Sequence, residues 1–64
     1  MAQDITDLCK EFAEGRAANY DDTPFEDAVH ELAKDIRRHA EELGWSPNDY
    51  LIDIDRIARD ALAR

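Results

Sequence analysis

Two histidines, one cysteine and sixteen carboxylates are the residues of this chain with the most chemistry in them. His30 and His39 fall within one helical pattern, nine residues apart. At about 100° per residue that is half a turn out of alignment, so the two imidazoles face opposite ways and cannot share a ligand. Each histidine follows an acid by four positions, Glu26 before His30 and Asp35 before His39. Such a pair can share a proton or seed a weak metal site, and it is also an ordinary feature of a solvated helix face. His39 falls at the margin of an apolar stripe, so the expectation is a half-buried histidine paired with Asp35. Cys9 lies on the apolar side of its segment and is expected to be a small core residue rather than a nucleophile. No H-E-x-x-H, paired Cys-x-x-Cys, glycine-rich phosphate loop or EF-hand pattern occurs. Asp21-Asp22-Thr23-Pro24 lacks the alternating ligands and central glycine of a calcium loop. A chain of 64 residues leaves little room for a pocket. The sequence therefore points away from an enzyme, with no catalytic residue, cofactor or metal site to nominate.

The elements that would position these side chains are helical. The middle segment carries the clearest signal. Thr23-Pro24-Phe25-Glu26 reads as a capping box, with Thr23 as the cap, Pro24 at the first helical position and Glu26 reaching back. Phe25, Val29, Leu32, Ile36, Ala40 and Leu43 then recur at steps of three and four, with Ala28 and Ala33 at the edges of the stripe. Gly44 ends this helix in a left-handed conformation, and Trp45 folds back on its last turn. A new helix begins at once, capped by Ser46, with Pro47 at its first position and Asp49 where a capping-box acid belongs. Tyr50, Leu51, Ile54, Ile57, Ala58, Ala61 and Leu62 share its wide apolar face. The first helix is shorter. Ile5, Leu8, Cys9 and Phe12 form its stripe, Asp4 can cap it, and Gly15 costs about 1 kcal/mol inside it. It ends near Glu14 or runs on toward Asn19, before the acidic connector Tyr20-Asp21-Asp22. The expectation is an all-α, single-domain, three-helix bundle over residues 1–64, with helices at about 4–18, 24–43 and 47–63.

Charge bounds the partners. Sixteen acids against eight bases give a net charge of −8 and a pI near 4.4. That field repels phosphate backbones and anionic lipid and attracts basic surfaces. The distribution is uneven. Residues 1–35 hold ten acids and three bases, net −7, whereas residues 36–64 hold six acids and five bases, net −1. Asp4, Asp7, Glu11 and Glu14 line the side of the first helix away from its apolar stripe, and Asp27, Glu31 and Asp35 follow one another at four-residue steps. Like charges at that spacing oppose each other by a few tenths of a kcal/mol per pair. The row either solvates a small protein or meets a basic partner. No apolar run exceeds three residues, so no membrane span is expected. The stretch M-A-Q-D-I-T-D has neither the basic region nor the apolar core of a secretory signal. One cysteine permits no intrachain disulfide and fits a reducing cytoplasm.

Ala40-Glu41-Glu42-Leu43-Gly44-Trp45-Ser46 resembles the A-x-x-x-G-x-S portion of the helix-turn-helix family, in which the alanine packs and the glycine turns. The resemblance covers seven residues and implies a DNA-binding regulator whose reading helix is the third. The chain departs from the pattern at Asp53, where an apolar residue belongs. The first half of the implied reading helix also holds acids only, at Asp49, Asp53 and Asp55. Phosphate contacts need cations, so direct nucleic-acid binding is not expected. Acyl carrier proteins share the size and charge, but their Asp-Ser-Leu attachment motif is missing around Ser46.

Association surfaces remain. Tyr20, Trp45 and Tyr50 flank the two turns, with Trp45 and Tyr50 expected in the core. Ile52 falls about 100° off the main apolar direction of the third helix, close to Arg56 and Arg59. The reading is a small, acidic, non-enzymatic module that binds another protein through a basic surface on that partner. Its contact residues are Asp4, Asp7, Glu11, Glu14, Asp21, Asp22, Asp27, Glu31, Asp35 and Ile52. A sharper form makes the partner a nucleic-acid-binding protein, with the acidic rows standing in for phosphates, as in phage or plasmid inhibitors. The alternative is a structural or adaptor subunit that homodimerises or packs through the third helix around Ile52.

Overall fold

The computed structural model describes residues 5–63, with the side chains of residues 5 and 47 left out. Helix α1 spans Ile5–Ala17 and tightens into a single 3-10 turn, Ala18–Tyr20. Helix α2 spans Phe25–Glu42. A second 3-10 turn, Pro47–Tyr50, leads into helix α3, Leu51–Leu62. The three helices pack pairwise as a three-helix bundle, with no strand among the described residues. A Cα radius of gyration of 11.0 Å agrees with the roughly 10.7 Å that chain-length scaling gives for a compact domain of this size.

The apolar stripes meet in one core. Leu32 and Ile36 of α2 are fully buried at its centre. Cys9 and Ala13 come from α1, Val29 and Ala40 from α2, and Ile54, Ile57, Ala58 and Ala61 from α3. Small side chains fill many of these places, which brings the helix backbones close. Ala13 is completely buried, although the spacing of the larger residues in α1 had not picked it out.

The ends of the long stripe escape the core. Phe25 and Leu43 are 45% and 42% exposed. Helix α2 has 18 residues against 12 in α3, so at about 1.5 Å per residue it outruns α3. Leu51 and Trp45 correct the sequence reading in the same way, at 45% and 42% exposed. Leu51 opens α3 where little packs over it. Trp45 lies on the connector with its ring edge-on to Tyr50, centroids 5.8 Å apart. Tyr50 is partly buried against the core, as expected.

The turn at Gly44 forms as its chemistry dictates. Gly44 adopts φ +85°, and the N–H groups of Gly44 and Trp45 donate to the carbonyls of Glu41 and Ala40 at 3.0 Å each. This is a complete Schellman closure, and it satisfies two of the last carbonyls of α2. The side-chain caps expected from Thr23 and Ser46 do not form. No side chain caps α2, whose preceding residue Pro24 lies outside the helix in an extended conformation, φ −53° and ψ 144°. Its ring fixes that φ. Glu26 leaves the expected capping box because Arg59 on α3 offers it two guanidinium N–H groups, each at 3.2 Å. Ser46 also makes no side-chain cap. The N–H of Asp49 donates to the Ser46 carbonyl at 3.2 Å, and the chain enters α3 through a 3-10 turn instead of a helical one. No described helix is long and apolar enough to cross a membrane.

Candidate functional site

The acidic residues divide by face. On α1, Asp7, Glu11 and Glu14 are exposed. At about 100° per residue they point away from Cys9 and Ala13, which mark the buried side. Asp21 and Asp22 are exposed on the connector, and Asp27 and Glu31 are exposed on α2. Glu31 lies toward the end of α1, where its charge acts on Tyr20, whereas Asp27, half a turn from the buried Ile36, points straight outward. Asp4 lies outside the described residues.

Asp35 is different from the rest of its row. It is partly buried, and its carboxylate accepts a hydrogen bond from the Tyr20 hydroxyl. That bond pushes the Tyr20 pKa up to about 12, with desolvation and the charges of Asp35 and Glu31 adding to it and Arg16 opposing. Asp35 therefore fastens the connector to α2, and its partner is not His39. The His39 ring instead stacks on Phe12 of α1, with centroids 4.3 Å apart and planes 6° from parallel. The Arg16 guanidinium lies over the Phe12 ring, 5.2 Å from its centroid. These contacts lock α1 to α2 and explain why Arg16, on the apolar side of α1, costs little: the aromatic face receives its charge.

A mixed seam of cations and acids runs where α1 meets α2. Phe12, Arg16, Asp35, Arg38, His39 and Glu42 line a shallow cleft of about 120 Å³. Arg16 and Arg38 share this cleft with Asp35 and Glu42, so the acidic surface is interrupted there and is not one continuous sheet of charge. The sequence pattern did not show this seam, since its cations come from two helices.

The opposite side of the molecule is arranged otherwise. Arg59 donates from Nε to Asp55 at 2.9 Å and from its two terminal nitrogens to Glu26, which ties α3 to α2. Glu26 first and Asp55 second hold the guanidinium proton more tightly than usual. These groups are solvent-exposed, so the pairs fix geometry more than they stabilise it. Ile52 stands 77% exposed on the outer face of α3, with Leu51 beside it. Asp49, Asp53 and Asp55 are exposed around the start of α3, as is Arg56 one turn later.

Cys9 is 3% exposed within the core, and burial pushes its thiol pKa up, which leaves it protonated and inert. His30 is exposed, and its expected neighbour Glu26 is taken by Arg59. Among the described residues no group of three or more His, Cys, Asp or Glu side chains could hold a metal ion. A cleft of about 360 Å³ opens at the end of the bundle among Ala17, Tyr20, Asp21, Phe25 and Leu62, and a larger one of about 450 Å³ runs along Asn48, Asp49, Ile52 and Asp53. The first of these mixes alanines and Phe25 with the polar groups of Tyr20, Asp21 and Thr23.

No family model matches the chain, and no curated protein or solved structure matches it at a significant level.

Proposed function

We propose that this chain is a non-enzymatic protein-binding module of the cytoplasm, and that its acidic outer face docks on a basic surface of a nucleic-acid-binding protein. The observation that carries the reading is the exposed set on α1, the connector and α2: Asp7, Glu11, Glu14, Asp21, Asp22, Asp27 and Glu31. These charges stand on a short, well-packed helical frame. A rigid frame lets them meet a partner's cations without an ordering cost at the moment of binding. Exposed charges of one sign speed and orient encounter with the opposite sign and repel duplex DNA itself. In its sharper form the module is an inhibitor that stands in for phosphates, of the kind that phage and mobile elements use.

The test replaces Asp27 and Glu31 by Asn and Gln and captures partners from the native host with wild-type and variant chains. A basic nuclease or DNA-binding protein held by the wild type, lost on the variant and displaced by duplex DNA supports the reading. A partner retained equally by both chains overturns it.

A second reading is favoured by Ile52. An isoleucine 77% exposed beside a half-exposed Leu51 is an apolar surface without an internal purpose. It suits a structural or adaptor subunit that associates through α3. Mutating it and the acidic face separately tells the two readings apart.

A further inference from the structure

The geometry points to a specific occupant for the α3 ridge, and we propose that it is a second copy of this chain, paired antiparallel across Ile52. The inference rests on the association reading and supplies its register. Asp49, Ile52 and Arg56 are spaced three and four residues apart and are all exposed. They form one outer row along the 3-10 turn and the start of α3. Neither Asp49 nor Arg56 takes part in an ion pair among the described residues, whereas the neighbouring Arg59 is held by Asp55 and Glu26. The row thus has an apolar centre, an unpaired acid one turn before it and an unpaired base one turn after it.

That order is self-complementary in one direction only. A two-fold axis through Ile52 sets two such rows antiparallel. Ile52 then packs on Ile52 of the second copy, and Arg56 of each chain meets Asp49 of the other. A parallel arrangement sets acid on acid and base on base, and is repelled at both ends. Leu51, 45% exposed, stands beside the axis and separates two shallow clefts. The wider cleft runs along Asn48, Asp49, Ile52 and Asp53 and leaves room beside Leu51 for an apolar side chain of the second copy.

Charge also favours a copy over a basic partner at this place. The row itself pairs one acid with one base, a pattern that a uniformly basic partner does not match, and Asp53 flanks it. Residues 36–64 are nearly neutral at net −1, while of the −7 in residues 1–35 the connector acids Asp21 and Asp22 carry −2 and residues 25–35 of α2 carry −3. Such a dimer would turn its acidic rows outward and leave both copies of the docking face free. One apolar row makes a small interface, so the association is expected to be weak, on the order of 10–100 μM.

The test is sedimentation equilibrium on wild type, Ile52→Asp, Asp49→Arg, Arg56→Asp and the double charge swap, each checked for unchanged helicity. The expected weight-average mass of the wild type rises above the 7.3 kDa of one chain toward twice that value with concentration. Ile52→Asp stays at one chain, each single charge change weakens association at least about tenfold, and the double swap restores it. A wild type that remains at the monomer mass up to about 1 mM overturns both the dimer and its register. Dimerisation that Ile52→Asp abolishes but the charge changes leave untouched keeps α3 as the interface and overturns the antiparallel register.

Discussion

At the scale of single residues the core and its fastenings respond in different ways. Ile36 is fully buried at the centre of the bundle. Ile36→Ala removes its transfer free energy and leaves a cavity, together about 3 kcal/mol. A domain of this size has roughly 3–10 kcal/mol in all, so urea denaturation should show a midpoint shift of a third or more. Tyr20 gives a pH signature. Its pKa is raised above the ordinary 10 to about 12, so the folded state prefers the protonated phenol. Its hydrogen bond to Asp35 therefore contributes fully below pH 10 and is lost as the pH rises toward about 12. Tyr20→Phe should lower stability by about 1 kcal/mol at pH 7, and the difference from wild type should vanish by pH 12; thermal melts at the two pH values measure it. Cys9 is legible from its neighbours at i−4, i−1 and i+3, and its thiol should react with a disulfide reagent only as the chain unfolds. The partner of Asp35 was not legible. His39 four residues on is a local candidate, but Tyr20 arrives from another segment, and Phe12 offers His39 a larger apolar contact.

Among the elements, the two glycines make opposite predictions. Gly44 sits at φ +85° with open space where a Cβ would go, so Gly44→Ala meets no clash and is opposed by the backbone alone. It should destabilise by about 1–2 kcal/mol. Gly15 lies inside α1, also with open space, and Gly15→Ala should stabilise by about 1 kcal/mol. Chemical denaturation of the pair checks both signs, and equal signs would contradict the assigned conformations. The Gly44 stop was legible because its cause is local: a left-handed residue, then a chain that turns back. Three helices and most of their core faces were legible for the same reason, since periodicity of three and four is a property of the segment itself. The capping boxes were not. Glu26 had an ideal local partner in the cap, and the Arg59 fork, 33 residues away, offered a bidentate contact. The exposed ends of α2's stripe were hidden too, because a stripe does not show how far its neighbours extend.

For the whole molecule the question is what an asymmetric charge does. The exposed acids of the candidate site were legible, because charged residues on the outer face of an amphipathic helix stay in water. Their grouping was only half legible: Arg16 and Arg38 share a cleft with Asp35 and Glu42, and that neighbourhood exists only after α1 and α2 pack. Ile52 was legible as the apolar residue that misses the core direction, and it stands 77% exposed. If the acidic rows are the docking face, reversing Ile52 should leave partner affinity per chain unchanged, while neutralising Asp27 and Glu31 should weaken it. The most direct measurement is the affinity of the chain for its captured nucleic-acid-binding partner at about 50 and about 300 mM salt, with duplex DNA as competitor. The account predicts a dissociation constant at least about tenfold weaker at the higher salt, and displacement of the chain by DNA. An affinity that stays the same at both salt concentrations, with DNA and the chain bound together, would contradict it.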